Sequence, residues 1–168
     1  MRRQKRNSVS RDLAKGAIAG AVATWVMGRV TTYMYERENE EARETEDAAR
    51  GGKTAYGVAA EKSAAALGRR LTNDQRQQLG SAIHWALGMG AGATYAVLRR
   101  RFNAAGAAAG TAFGTVFWAV MDEGVVTGLG LTPPPQAFPW QTHARGFVGH
   151  LTFGTVTDGT LRVLDAIA

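Results

Sequence analysis

The strongest constraint on this chain is a set of long runs that carry almost no charge. Phe102 to Met121 has none, and its only polar side chains are Asn103, Thr111, Thr115 and the Trp118 indole, so no solvent-facing helical stripe can be drawn on it. Leu79 to Leu98 is charge-free apart from the titratable His84, and Gly16 to Tyr35 holds only Arg29. Gly146 to Thr157 is a fourth run, which continues through Asp158 to Arg162. A bilayer core of roughly 30 Å needs about 20 helical residues. The pattern therefore predicts an all-α, four-helix transmembrane bundle in a single membrane domain, with spans near 13–35, 79–98, 102–122 and 144–164. Arg29 and Arg162 can snorkel to an interface, whereas Asp158 must face protein or water. Weak hydropathy, with a mean of -0.17, keeps a soluble helical bundle acting as an interaction module as an alternative.

Charge sets the expected orientation. Residues 1–12 form a basic tail, and Arg99-Arg100-Arg101 links the second and third spans, so both should be cytoplasmic. The charged connection 36–78 and the shorter one from Asp122 to Arg145 then face outward, which places both termini on the cytoplasmic side, with the lipid bilayer as the main partner. The isoelectric point near 10.2 invites a nucleic-acid reading, but the basic excess lies beside the spans, where anionic lipid would meet it; no nucleic-acid partner is expected. The N-terminal run is expected to be an uncleaved signal anchor, because its charged region is long. Within the outer connection, Glu36 to Arg50 is expected to be a solvated charged run. Val58, Ala59, Ala65 or Ala66, and Leu67 suggest a surface helix, and Thr72-Asn-Asp-Gln75 has capping-box spacing at the start of the second span.

Small or polar residues recur every fourth position: Gly16, Gly20, Thr24, Gly28; Gly80, His84, Gly88, Gly92; Gly106, Gly110, Gly114, Trp118, Asp122; and Gly146, His150, Gly154, Asp158, Arg162. Residues four apart share a helix ridge, so each span offers a groove for Gly-xxx-Gly packing, and surplus grooves would allow homo-oligomers. A faint repeat aligns Gly16-xxx-Gly20 with Gly106-xxx-Gly110 and His84-xxx-Gly88 with His150-xxx-Gly154, which suggests two similar helical hairpins.

The chain has no Cys, which removes thiolate metal sites, thiol nucleophiles and disulfides. No span carries His-xxx-His or Glu-xx-His, no nucleophile motif or phosphate-binding glycine loop occurs, and so neither a metal, a cofactor nor an enzyme activity is expected. The best polar candidates are His84, His150, Asp122 and Glu123, expected to cluster near the outer side, and Asp158 with Arg162, an ion pair towards the inner side. Such a set could form a proton or small-cation pathway.

The loop Leu129-Gly-Leu-Thr132-Pro133-Pro134-Pro135-Gln-Ala-Phe-Pro-Trp140, followed by His143-Ala-Arg145-Gly-Phe-Val-Gly-His150-Leu-Thr-Phe-Gly154 and accompanied by His84-Trp85, resembles the YagU-like family of small bacterial inner-membrane proteins. The prolines should give a stiff outer loop, with Phe138 and Trp140 as interfacial anchors. The resemblance implies a multi-span protein of unassigned activity and carries over no catalytic residues. The expected function is a non-enzymatic structural, stress-related or transport-associated role, with any small-molecule or ion ligand left open.

Overall fold

Helix α1 runs unbroken from Arg2 to Tyr35, so the basic N-terminal residues continue the first apolar run as one helix in this computed structural model, which describes residues 2–102 and 108–167. Helix α2, Glu40–Arg50, starts where the Asn39 side chain accepts from the Ala42 N–H, with Glu40 and Glu41 in its first turn and Arg50 in its last, each complementing the helix dipole. It stops at Gly51, whose φ of 56° suits a residue without a Cβ. Helix α3, Ala55–Ala66, is capped by Thr54. Helix α4, Asn73–Arg101, opens with the full Thr72–Gln75 capping box and closes on Arg99, Arg100 and Arg101.

Helix α5, Thr111–Trp118, passes directly into π-helical turns over Ala119–Val125 and then into α6, Val126–Gly128. The Pro-rich connection is extended at Pro134, makes a 3-10 turn at Pro135–Ala137, and delivers Pro139 just before α7, Trp140–Ala166. α1 packs on α4 and α7, α5 packs on α7, and α3 lies against α4.

The helices meet through backbone. A Cβ added at Gly16 would lie 2.6 Å from the Gly92 carbonyl oxygen, and one at Gly20 would run into that of Gly88. In the other pair, Cβ atoms at Gly110 and Gly114 would run into the carbonyls of Gly154 and His150. Gly20 on Gly88 and Gly110 on Gly154 are thus equivalent contacts in the α1–α4 and α5–α7 pairs, in the register of the faint sequence repeat. At such separations no side chain fits between the axes.

Several expectations need correction. No helix among the described residues is long and apolar enough to cross a membrane. Length is not the obstacle, since α1, α4 and α7 have 34, 29 and 27 residues; the Gly, Ala, Thr and charged positions dilute their hydropathy. The third expected span does not run as one α-helix over 102–122: α5 begins at Thr111, Gly110 is its N-cap with a φ of 85°, and Gly106 lies outside the described residues. Asp122 and Glu123 sit within the π-helical turns and do not end the helix. Glu36 to Arg50 is not uniformly solvated, because Glu46 is buried in α2 beside Arg145. The α3 face that packs is Gly57, Ala60 and Ala64, while Leu67 is exposed and Gly68, with φ 69°, follows the helix end.

Gly20→Ala is expected to lower unfolding stability by about 1–3 kcal/mol through overpacking against Gly88. Gly28→Ala, in open space, should be neutral or stabilising by up to about 1 kcal/mol. Thermal unfolding of the two variants side by side checks this; equal melting temperatures would contradict the contact.

Candidate functional site

One end of the bundle holds a cavity of about 370 Å³ into which most of the chain contributes. Arg50 comes from the end of α2, Tyr56 from α3, His84 from α4, Trp118 from α5, and Asp122 and Glu123 from the π-helical turns; Thr132, Pro133, Pro135 and Phe138 come from the connection, and Thr142 and His143 from α7. A π-helical segment inserts extra backbone into a turn, and such distortions recur at functional sites. Here it carries two adjacent carboxylates into the cavity wall.

The expected group of His84, His150, Asp122 and Glu123 is brought to this end, though with individual partners. His150 Nδ1 lies 2.9 Å from the Gly146 carbonyl and 3.5 Å from Asp122 Oδ2, with the Phe117 ring edge-on at 5.2 Å. His84 faces the Tyr56 ring at 4.6 Å. Glu123 pairs instead with His143, whose Nδ1 is 2.8 Å from its carboxylate and whose Nε2 is 3.1 Å from the Pro135 carbonyl. Both ring nitrogens therefore face acceptors, an arrangement that only the doubly protonated imidazole satisfies in full. Burial works against that charge, but Glu123 and Pro135 outweigh it and hold His143 above its ordinary pKa. Burial pushes the Tyr56 phenol up to about 12, so it is a neutral donor at physiological pH.

Gly146 makes room for this arrangement, since a Cβ there would lie 3.1 Å from Asp122 Oδ2 and 3.3 Å from Trp118 Nε1. Of the loop residues singled out in the sequence, Thr132, Pro133 and Pro135 line the cavity, Pro134 precedes the 3-10 turn, and Trp140 is 73% exposed. Among the described residues no group of three or more His, Cys, Asp or Glu side chains is placed to hold a metal ion.

Beside the cavity lies a buried ionic cluster. Arg145 bridges Glu38 and Glu46, Arg50 meets Glu46 at 2.8 Å, and the Thr142 hydroxyl donates to Glu46 at 2.8 Å. Burial would raise the Glu46 pKa, yet these donors win and hold it below the usual carboxylate range. The cluster ties α7 to α2 and to the chain leaving α1.

Asp158 and Arg162 are not part of this site. They pair at 2.6 Å at the opposite end, where Asp158 also accepts from the Tyr95 hydroxyl at 2.8 Å and has Arg99 at 3.6 Å. Nearby Asp165 meets Lys15 and Arg99, and Asp12 meets Arg100 at 2.8 Å. Sequence reasoning missed Tyr56, Arg50, Thr142, His143 and the Arg145 cluster. His143 and Arg145 stand in the most distinctive stretch of the chain, but their carboxylate partners are 20 to 107 residues away, and only the fold pairs them.

Two predictions follow from these pairs. Arg145→Met should cost about 3–5 kcal/mol in thermal unfolding, because it strands two carboxylates, and adding Glu38→Gln and Glu46→Gln should recover part of that loss. His143 stabilises the fold through a raised pKa, so its contribution is complete below about 6.5 and is lost as pH rises through the raised value. Hydrogen exchange at Gln136, Ala137 and Phe138, corrected for intrinsic rates, should accelerate above neutral pH. His143→Gln should abolish that step, and pH-independent protection would contradict the pairing.

The sequence signature described as Protein of unknown function (DUF1440) matches residues 54–159, well over half the chain, and the chain belongs to that family. The matched region includes Tyr56, His84, Asp122, Glu123, His143 and Arg145 but not Glu38, Glu46 or Arg50. No curated protein and no solved structure matches the chain.

Proposed function

We propose that this member of the DUF1440 family is a non-enzymatic, bilayer-embedded helical bundle of the bacterial inner membrane, with a structural, stress-related or transport-associated role. The observation that carries the proposal is which residues the bundle buries. Inside are Ala19, Ala23, Thr24, Ala96, Thr157, Asp158 and His150, with Tyr95, Phe153 and Leu161 the only large apolar or aromatic side chains buried among the described residues. Outside are Ile18, Val22 and Trp25 on α1, Trp85, Leu87 and Met89 on α4, Val116 and Val120 on α5 and the π-helical turns, and Val148 and Val163 on α7. A chain folded against water buries its large apolar side chains and leaves polar ones outside. The reverse distribution, with glycine-mediated axes and interhelical polar contacts, is the solution that lipid favours.

The low hydropathy of α1, α4 and α7 fits this proposal if the helices insert together, with polar groups already paired inside the bundle. The likeness of the Pro-rich loop and the Gly-His steps to the YagU-like family supports the same reading, as does the basic charge at Arg99 to Arg101 for cytoplasmic termini. Exposed apolar faces leave room for copies to associate.

A proton or small-cation pathway is less well supported by the geometry. His84, His150, Asp122 and Glu123 lie at one end and Asp158 at the other, and the rings of Tyr95, Phe113, Phe117 and Phe153 pack in a continuous series between them. That favours a dead-ended polar cavity over a through route.

Membrane fractionation followed by high-salt and alkaline washing tests the proposal. Retention in the washed pellet is the expected result. Release into the wash would replace it with a peripheral or soluble bundle acting as an interaction module.

A further inference from the structure

We propose that the cavity binds a small organic ammonium ion, with Asp122 as its counter-charge. This goes beyond the bilayer reading and does not depend on it, since the cavity is formed by the bundle itself.

The charges around the cavity divide into committed and uncommitted groups. Arg50 is held by Glu46 at 2.8 Å, and His143 by Glu123 at 2.8 Å. Asp122 has no such partner: its nearest described basic atom is His150 Nδ1 at 3.5 Å, and that nitrogen already faces the Gly146 carbonyl at 2.9 Å. With the other two pairs neutralised, the cavity retains one carboxylate whose charge a ligand could balance.

The walls indicate what kind of cation fits. Tyr56, Trp118 and Phe138 all line the cavity, and aromatic faces attract weakly hydrated ammonium groups more than they attract metal ions. A volume of about 370 Å³ lies at the small end of ligand sites. The chemistry is that of a small substituted ammonium group, whether free or presented as a lipid headgroup.

The test is calorimetric titration of the full chain in maltoside micelles, which contain no amine. Choline is the probe and 3,3-dimethylbutan-1-ol its uncharged isostere. Choline should bind at least tenfold more tightly than the uncharged isostere, and Asp122→Asn should remove that preference. Glycerophosphocholine distinguishes the sources: tighter binding than choline assigns the site to a lipid headgroup, weaker binding to a free amine, and both agree with the proposal. Equal binding of choline and its uncharged isostere would overturn it, as would undiminished choline binding by Asp122→Asn or no saturable heat at millimolar choline. If Asp122→Asn fails to fold, the isostere comparison on the unaltered protein decides alone.

Discussion

Contact between helix backbones, made where glycines face carbonyls, is the constraint on which the rest of this structure depends. Gly16 and Gly20 meet Gly92 and Gly88, and Gly110 and Gly114 meet Gly154 and His150, at separations that admit no Cβ. With the axes this close, Tyr95, Phe153 and Leu161 are the only large apolar or aromatic side chains buried among the described residues. Most other large apolar side chains point outward, and the rest of the interior is Ala, Thr and a few polar groups. The outward apolar surface is thus a direct consequence of the inward glycines.

Close axes supply van der Waals contact but little directionality, and the two ends of the bundle supply the rest through charge. At one end Arg145 gathers Glu38 and Glu46, so that α7, α2 and the chain after α1 share one cluster. At the other, Asp158 takes Tyr95 and Arg162, and Asp165 takes Lys15 and Arg99, which ties α1, α4 and α7 together. A buried pair contributes little net stability, yet losing one partner is costly, so such clusters penalise wrong helix registers more than they reward the right one. The cavity exists because these clusters sit beside it: Arg50 and His143 are neutralised by neighbours, Gly146 leaves space, and the π-helical turns present Asp122.

Much of this was legible in the chain itself. The Thr72–Gln75 capping box, the three long helices and the glycine periodicity are local features, each fixed by residues within a turn of one another. The pairing of Asp158 with Arg162 is legible for the same reason, since four residues is one helical turn. Glu46 misled because a run with many charges looks solvated, and nothing nearby announces that Arg145, 99 residues on, will bury one of them. His143 was overlooked because its partners Glu123 and Pro135 come from a distorted helix and a loop.

The sequence by itself determined helices, their caps and the ridges on which they could approach, because those depend on backbone sterics and hydrogen bonds within a few residues. It also placed Asp122 and Glu123 near the same end as His84 and His150, since charge-free lengths measure distance along a helix axis. Only the tertiary structure decided which ridge met which, that Glu123 would take His143 and leave Asp122 uncommitted, and that a π-helical stretch would replace the expected helix end. Those outcomes depend on which charges are desolvated together. That is a property of distant segments meeting in space, and no local pattern encodes it.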